Sequence, residues 1–367
     1  PGAMLATSTH DTKRSEDVRA RINVLSEMPD EWRKALTRWS RLNRRKKIDV
    51  DGVAAPDRNE EYLLYQTLLG IWPFEPMDAA THATFIERVQ GYMIKAIREA
   101  KINTSWLNPN NQYDEAVRAF VAAILEDSPS NRFLADFRTL AARVAHFGAW
   151  NSLAQTLLKL AAPGVPDIYQ GTELWDLSLV DPDNRRPVNF DLRAWWLGEM
   201  TDLQGSRVEL ARALVENKAD GRIKLYLTHR ALQFRRAHLP LFQGGSYTPL
   251  EASAGAAEHV VAFARADGEG EALAIAPRLP ARLTGGDGAP LGVAWGDGLL
   301  QLPASALGAR YRNIFTDEVY TVGEHEGVQG LPLAQVLANF PVALLERVAA
   351  SPALVVPRAA RNGRTTN

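Results

Sequence analysis

The chain divides into two parts by the period of its hydrophobic residues. From residue 15 to about residue 240, apolar side chains recur every three or four positions, which is the spacing of one face of an α-helix. Asp30 and Asn59 are placed to cap two of these helices, and Gly148 is expected to separate two others. The pattern predicts helices around 18–25, 32–43, 60–72 and 85–97, then at 115–126, 131–146, 149–161, 191–200, 206–217 and 222–237.

Residues 165–171 (VPDIYQG) interrupt the helical pattern. They are apolar and bounded by proline and glycine, which is typical of a buried strand, and the loop at 172–190 is rich in Asp, Asn, Arg and Pro. After about residue 241 the period falls to two, and glycine-rich turns predict a small antiparallel β domain, with GEHEG (323–327) as one hairpin turn. The candidate strands are 246–251, 259–265, 271–278, 291–302, 310–321 and 340–347.

Composition narrows the function classes. The 42 Lys and Arg residues against 43 Asp and Glu residues give a net charge of −1, without the basic excess of a general nucleic-acid or polybasic membrane binder. The sequence has no cysteine, which excludes disulfides and thiolate metal sites, and its seven histidines show no paired metal-binding spacing. We therefore expect no metal, no cofactor, no nucleic-acid or membrane partner, and a cytoplasmic location.

Two motifs contain residue types that suit carbohydrate chemistry. TSTHDTKR (7–14) joins a histidine to an aspartate, although such a pair alone is more often structural. LSLVDPDNRRPVNFD (177–191) concentrates rigid donors and acceptors, which bind sugar hydroxyls by paired hydrogen bonds, but a salt-bridged connector between strand and helix is the alternative. The aromatic residues that could stack on sugar rings nearby are Tyr169, Trp175, Trp195 and Trp196.

Four stretches together resemble the maltooligosyltrehalose synthases, a family of α-amylase-type (β/α)8-barrel enzymes. They are STHDTKRSEDVRAR (8–21), GIWP (70–73), INTSWLNPN (102–110) and the segment 151–188, and the likeness covers nearly the whole chain. STHDTKR looks like the family motif at the end of the seventh barrel strand, and PGVPDIYQGTE looks like the eighth strand. The resemblance implies an α+β multidomain fold, with a mainly helical part followed by a small antiparallel β-sandwich domain.

The same resemblance implies a domain organisation. Since two strands of eight cannot close a barrel, the helical part is expected to fold as a bundle with the β domain attached. The PGAM start is expected to be a cloning remnant. The implied divisions are 1–4 for that remnant, 5–29 for the end of barrel strand seven and its helix, 30–162 for a helical insertion, 163–240 for strand eight with the ligand loop and helices, 241–350 for the β domain, and 351–367 for a disordered tail.

The resemblance also implies retaining glycosidase chemistry. Asp11 matches the third carboxylate of the family, which stabilises the transition state, and His10 would hydrogen-bond the same sugar. The family's nucleophile and general acid lie in segments that precede this region, so the chain is expected to be a C-terminal half that is inactive alone. The expected substrate-binding residues are Lys13, Arg14, Trp106, Tyr169, Gln170, Glu173, Asp181, Asp183, Asn184, Arg185 and Arg186.

The full enzyme implied here converts the reducing-end α-1,4 bond of a maltooligosaccharide into an α,α-1,1 trehalose linkage. The helical insertion is a candidate lid, and Trp72, Trp106, Asn108 and Tyr113 are candidates to line it. Core packing is the alternative for each of these residues and is favoured for Trp72. The expected partners are the maltooligosaccharide and the N-terminal half of the enzyme, with non-native self-association as a risk. A split-enzyme subunit, a non-catalytic glucan-binding fragment and a trehalose-releasing hydrolase are alternatives, although the DPDNRRPV loop and long insertion favour the mutase over the hydrolase.

Overall fold

The computed structural model describes residues 2–201, 205–253, 255–268, 270–286 and 288–348, so the tail expected at 351–367 lies outside the described residues. Helices dominate up to residue 243, and strands dominate after it. The helices are α1 (Glu16–Asn23), α2 (Pro29–Asn43), α3 (Arg58–Ile71), α4 (Ala79–Ala100), α5 (Asn111–Leu125), α6 (Arg132–Ala161), α7 (Phe190–Thr201), α8 (Arg207–Glu216), α9 (Arg222–Ala237), α10 (Leu239–Gln243), α11 (Pro280–Thr284) and α12 (Leu333–Val336).

Two predicted helix caps lie at other residues. The cap of α3 is Asp57, whose carboxylate accepts hydrogen bonds from the backbone nitrogens of Asn59 (2.9 Å) and Glu60 (2.8 Å). The Glu60 carboxylate in turn accepts a hydrogen bond from the Asp57 backbone nitrogen at 2.9 Å, which completes a capping box. Asp30 lies inside the first turn of α2, where its negative charge interacts favourably with the helix dipole.

The predicted break at Gly148 is wrong, because α6 continues through it for 30 residues. A Cβ atom at Gly148 would lie 2.4 Å from Cγ and 2.8 Å from Cα of Arg21 in α1. A Cβ atom at Gly70 in α3 would likewise lie 2.6 Å from Cγ1 of Val18. Glycine at both positions therefore allows α1 to pack closely against α3 and α6.

Replacing Gly148 by Ala tests this packing. Alanine is the better helix former, yet we expect Gly148→Ala to lower the free energy of unfolding by about 2 kcal/mol, since the backbone of Arg21 must move. Gly91→Ala is the matched control, because Gly91 lies inside α4 and a Cβ atom added there would meet nothing within 4 Å. This control should gain up to about 1 kcal/mol in urea unfolding. Equal gains for both variants would contradict the packing role of Gly148.

A parallel strand pair positions the two motifs. Strand β1 (Met4–Ala6) lies beside β4 (Val165–Asp167), with Met4 opposite Val165 and Ala6 opposite Asp167. Because the carboxyl ends of parallel strands meet at the same edge, the loops after β1 and β4 leave the pair side by side. An antiparallel hairpin, β2 (Ile48–Val50) with β3 (Val53–Ala55), lies between α2 and α3.

The strands described in the C-terminal part are β5 (Ser246–Leu250), β6 (Val260–Ala266), β7 (Glu271–Pro277), β8 (Leu299–Gln301), β9 (Arg310–Asn313), β10 (Val319–Thr321), β11 (Gly323–His325), β12 (Val328–Pro332) and β13 (Ala343–Val348). Among the described residues they form two antiparallel sheets, one with six strands in the order β10-β9-β13-β7-β6-β5 and one with three in the order β11-β12-β8. Buried side chains of both sheets form one cluster, including Leu273 and Leu345 of the first and Leu300 and Leu331 of the second.

Two predicted strands are shorter than expected. In the segment 291–302, a 3-10 turn at Gly292–Trp295 precedes β8, and Gly296 has a positive φ of 52° that leaves the extended conformation. The segment 310–321 is a hairpin of β9 and β10, whose connection contains Asp317 at a φ of 60°. Period-two hydrophobicity marked both segments but did not show where the chain turns.

Arg265 joins the helical and β parts. This residue of β6 is only 1% exposed, and its guanidinium donates to the carbonyl oxygens of Ala161 at the end of α6 (3.1 Å) and Leu241 in α10 (3.1 Å). Five carbonyl oxygens accept from it in all.

Within the described ranges, no helix has the length and apolar composition needed to cross a membrane.

Candidate functional site

The loop after β1 presents His10 and Asp11 on an exposed turn. The Thr12 nitrogen donates to the Thr9 carbonyl oxygen (3.2 Å), and the Thr9 nitrogen donates to Oγ1 of Thr12 (2.6 Å). His10 Nε2 lies 3.2 Å from Oδ2 of Asp11, with side chains 59% and 84% exposed. An imidazole and a carboxylate are thus accessible together at the carboxyl edge of the strand pair.

Asn184 connects the second motif to this turn. Its Nδ2 donates to the backbone oxygen of His10 at 2.8 Å, across 174 residues of sequence. Its own backbone oxygen accepts a hydrogen bond from the hydroxyl of Tyr169 at 3.3 Å. The fold therefore brings together predicted residues from both motifs.

Asp183 is held by protein groups. Its two carboxylate oxygens accept from Nε (2.9 Å) and NH2 (2.8 Å) of Arg88, and Oδ2 also accepts from the Leu179 nitrogen (2.8 Å). Burial by itself would raise the pKa of Asp183, but the hydrogen bonds and charge of Arg88 outweigh it and lower this pKa. This carboxylate, which is predicted to bind substrate, makes hydrogen bonds that hold its own loop. The Nε atom of Arg186 also lies 3.2 Å from its Oδ1 atom.

The other predicted binding residues differ in accessibility. Arg185 Nε lies 2.8 Å from Oδ1 of Asp181, and both side chains are at least 39% exposed. Gln170 is exposed at the start of its loop. Glu173 is half-buried and pairs with Arg193 of α7 at 3.1 Å. Gln170, Asp181 and Arg185 are therefore open to a ligand, whereas Glu173 braces α7.

A face of α4 supports both loops, and the sequence reasoning missed it. Arg88 binds the second loop through Asp183, and Nζ of Lys95 donates to the backbone oxygen of Asp181 at 2.7 Å. Farther along the helix, Glu99 Oε2 accepts from Nζ of Lys13 in the first loop at 3.0 Å.

Arg14 also turns toward the helices. The sequence predicted it as a substrate-binding residue, and in the fold its NH2 donates to Oγ1 of Thr67 in α3 at 3.0 Å. Its guanidinium carbon lies 5.9 Å from the ring centre of Tyr92 in α4. The supporting face of α4 consists of Arg88, Tyr92, Lys95 and Glu99. Their spacing of four, three and four residues places them on one side of the helix, and this spacing is the sequence signal that could have predicted the face.

The insertion residues predicted to line a lid have different positions. Tyr113 is 1% exposed and its hydroxyl accepts from Nδ2 of Asn103 at 2.9 Å, so it belongs to the core and not to a lid surface. Trp72 packs edge-on against Phe85 at 5.2 Å, in agreement with core packing. Trp106 is 56% exposed on the loop between α4 and α5.

The aromatic residues near the second motif also separate by burial. Trp175 donates from Nε1 to the Lys218 carbonyl oxygen at 2.6 Å, which fixes it in the fold. Trp196 is half-buried, and Trp195 of α7 is 60% exposed. Of these three rings, Trp195 has the surface for stacking.

A buried charge network lies beneath the two loops and was not predicted. Nζ of Lys224 in α9 lies 2.7 Å from Glu16 Oε1 and 2.9 Å from Asp17 Oδ2, and these side chains are at most 3% exposed. Asp17 also accepts from the Asp176 nitrogen at 2.7 Å, and Lys159 of α6 lies 3.5 Å from Glu16. Burial alone would lower the pKa of Lys224, but the two carboxylates outweigh it and raise this pKa.

Glu16 makes the network sensitive to acid. Burial by itself would raise its pKa, but Lys224 and Lys159 outweigh this and lower it from 4.5 to about 2. A carboxyl with a lowered pKa contributes stability above its unfolded pKa and loses that contribution as the pH falls toward its folded pKa. We expect the unfolding free energies of the wild type and Glu16→Gln to converge by about 2 kcal/mol between pH 6 and pH 3.

Urea unfolding at several pH values measures this convergence. Glu324→Gln controls for the loss of one carboxylate, because Glu324 is exposed on the β11–β12 hairpin. A difference between the wild type and Glu16→Gln that stays constant over this range would contradict the role of Glu16.

Known proteins of similar sequence are maltooligosyltrehalose synthases. No family model matches the chain. Two curated Mycobacterium tuberculosis proteins (strains CDC 1551 / Oshkosh and H37Rv), each named "Putative maltooligosyl trehalose synthase", are 36% identical over 351 residues, which is 95% of this chain and 38% of theirs. The chain resembles the maltooligosyltrehalose synthases over nearly its whole length. It spans 38% of the length of the curated relatives it matches.

Solved structures of the family agree in fold. The maltooligosyltrehalose synthase of Arthrobacter ramosus superposes with a TM-score of 0.73 and 32% identity, over 95% of this chain and 39% of that one. The Sulfolobus tokodaii "hypothetical maltooligosyl trehalose synthase" gives a TM-score of 0.65 and 30% identity, over 93% of this chain and 38% of that one. The chain resembles the C-terminal part of these family members.

Proposed function

We propose that this chain supplies Asp11 and His10 to the active site of a maltooligosyltrehalose synthase. Such an enzyme converts the reducing-end α-1,4 bond of a maltooligosaccharide into an α,α-1,1 linkage. The observation that carries the proposal is the meeting of the two motifs, where Asn184 of the second loop donates to the His10 backbone oxygen at 2.8 Å. The similarity to maltooligosyltrehalose synthases supports this assignment.

Asp11 would act at the transition state. As the glycosidic bond breaks, positive charge develops on the sugar ring, and a fixed carboxylate stabilises that charge more than it stabilises the neutral substrate. His10, 3.2 Å from this carboxylate, can donate to a hydroxyl of the same ring. The nucleophile and the general acid would come from residues outside this chain. The freed glucose then attacks the glycosyl-enzyme through its anomeric hydroxyl, which requires that water be excluded.

The proposed architecture follows the family. β1 and β4 would be the seventh and eighth strands of a (β/α)8 barrel, which their parallel pairing supports. The helices within 30–162 would form an insertion beside the site, supported by the contacts of α4 with both loops. The two antiparallel sheets, which share one buried cluster, would form the β-sandwich. Self-association and a cytoplasmic location stay predictions.

Product analysis with maltopentaose tests the proposal. We expect no reaction with the isolated chain, because it lacks two of three catalytic carboxylates. With the N-terminal part of a family member added, NMR should show loss of reducing ends and growth of an α,α-1,1 signal. Turnover by the isolated chain would contradict the division of the active site. Release of free trehalose from added maltooligosyltrehalose, with no α,α-1,1 product from maltopentaose, would favour the hydrolase. Retention on amylose without turnover would favour a glucan-binding module.

A further inference from the structure

The loop between α4 and α5, residues 101–110, exposes a tryptophan that no core contact explains. Trp106 is 56% exposed, and its neighbours Ile102 and Leu107 are 75% and 97% exposed. Tryptophan is highly buried on average in folded proteins, and adjacent exposed apolar side chains mark binding surfaces.

The Trp106 ring is held in a fixed position from within the fold. The guanidinium carbon of Arg98 lies 4.9 Å from its ring centre, a cation–π contact. Arg98 cannot turn away freely, because its Nε donates to Oδ2 of Asp114 at 2.9 Å, and the Asp114 side chain is only 4% exposed. The contact with Arg98 favours one orientation of the ring before a ligand binds, which lowers the entropy lost on binding.

The loop backbone is also internally bonded. The Ser105 nitrogen donates to the Asn108 carbonyl oxygen at 3.2 Å, and the Asn108 nitrogen donates to Oγ of Ser105 at 2.9 Å. Buried Thr104 accepts at Oγ1 from the Asn110 nitrogen at 3.0 Å. The Trp106 ring thus stands on a closed turn whose flanks carry hydroxyl and amide groups.

The loop is linked to the proposed active site through the end of α4. Glu99, next to Arg98, pairs with Lys13 at 3.0 Å, and Lys13 lies two residues after Asp11. Arg98, which contacts the Trp106 ring, and Glu99, which binds the loop of His10 and Asp11 through Lys13, are therefore adjacent residues of α4. An oligosaccharide extending from Asp11 along this side would meet the exposed ring.

We propose that Trp106 is a stacking subsite for a glucosyl ring of an α-1,4-glucan, away from the bond that reacts. A sugar presents an apolar C–H face to an aromatic ring, and its hydroxyls match the polar groups of Ser105 and Asn108. The placement of this subsite along the substrate rests on the proposed function. Binding by the isolated chain does not rest on it.

Binding to the isolated chain is the first test. We expect Trp106→Ala to raise the Kd for maltoheptaose by roughly tenfold in calorimetric or NMR titrations, and Trp106→Phe to retain most of the affinity. Val293→Ser is the control, since Val293 is an equally exposed apolar residue (98%) outside this loop, and this variant should bind as the wild type does. Equal affinity of Trp106→Ala and the wild type, or no binding by either, would overturn the subsite.

Kinetics of the enzyme completed with its N-terminal part is the second test. Trp106→Ala should raise KM for maltoheptaose about tenfold with little change in kcat, and the effect should be smaller for maltotriose, which has fewer glucosyl rings away from the reacting bond. An active synthase with unchanged KM at every length would overturn the subsite alone. Maltoheptaose binding through Trp106 without synthase activity would overturn the proposed function alone. Loss of a dimer in Trp106→Ala, without change in sugar affinity, would assign the surface to a second copy and overturn the subsite.

Discussion

Asp11→Asn is expected to lower kcat by about a thousandfold in an enzyme assembled from this chain and the N-terminal part of a family member. The amide has the shape of the carboxylate but lacks the charge that stabilises the developing positive charge on the sugar. Because the Asp11 side chain is 84% exposed, the free energy of unfolding should stay nearly unchanged. Initial rates of formation of the α,α-1,1 product measure the effect.

Asp297→Asn is the matched control for Asp11→Asn. Asp297 is an exposed aspartate in the loop before β8, and its loss should change kcat by less than threefold, roughly the effect of a surface substitution. Thermal unfolding of both variants should follow the wild type. If kcat of a folded Asp11→Asn variant decreased by less than tenfold, this would contradict the proposed role of Asp11 in stabilising the transition state.

The second large effect concerns the charge network. We expect Lys224→Met to lower the free energy of unfolding by about 3–5 kcal/mol, because it leaves Glu16 and Asp17 buried without their shared cation. The same change removes the ion pairs between α9 and the start of α1, and these pairs support the loop that carries Asp11. Urea unfolding at pH 7 measures the loss.

Two further variants identify its cause. Lys34→Met removes an exposed lysine of α2 and should change stability by no more than about 0.5 kcal/mol. Adding Glu16→Gln to Lys224→Met should recover part of the loss, since one unpaired charge disappears. A cost below about 1 kcal/mol for Lys224→Met, or no recovery in the double variant, would show that the ion pairs do not support the loop.

Local sequence patterns predicted most helices and the main turns. The α4 repeat of Phe85, Val89, Met93 and Ile97 is buried in the structure, as its spacing predicts. The GEHEG segment forms the β11–β12 hairpin, where Glu326 and Gly327 have positive φ values of 51° and 84°. Each of these features depends on neighbours within a few residues, so a single sequence contains the needed information.

Errors arose where distant residues decide a local outcome. Glycine is typical of a helix end, yet the close approach of Arg21 from α1 explains why Gly148 lies inside α6. Asp183 stays a predicted sugar ligand, but the sequence did not show that its carboxylate accepts hydrogen bonds from Arg88, 95 residues earlier. Neither partner lies close enough in sequence for periodicity or spacing to reveal it.

The residue types of the candidate site, with the His10–Asp11 pair and the polar loop that follows residues 165–167, are a property of the sequence. Their assembly is a property of the tertiary structure. The pairing of β1 with β4 joins segments about 160 residues apart, and the hydrogen bond from Asn184 to His10 spans 174 residues. The same holds for Lys224, whose bond to Asp17 spans 207 residues. Hydrophobic period reports which face of an element is buried, whereas the partner of that face depends on how the whole chain packs.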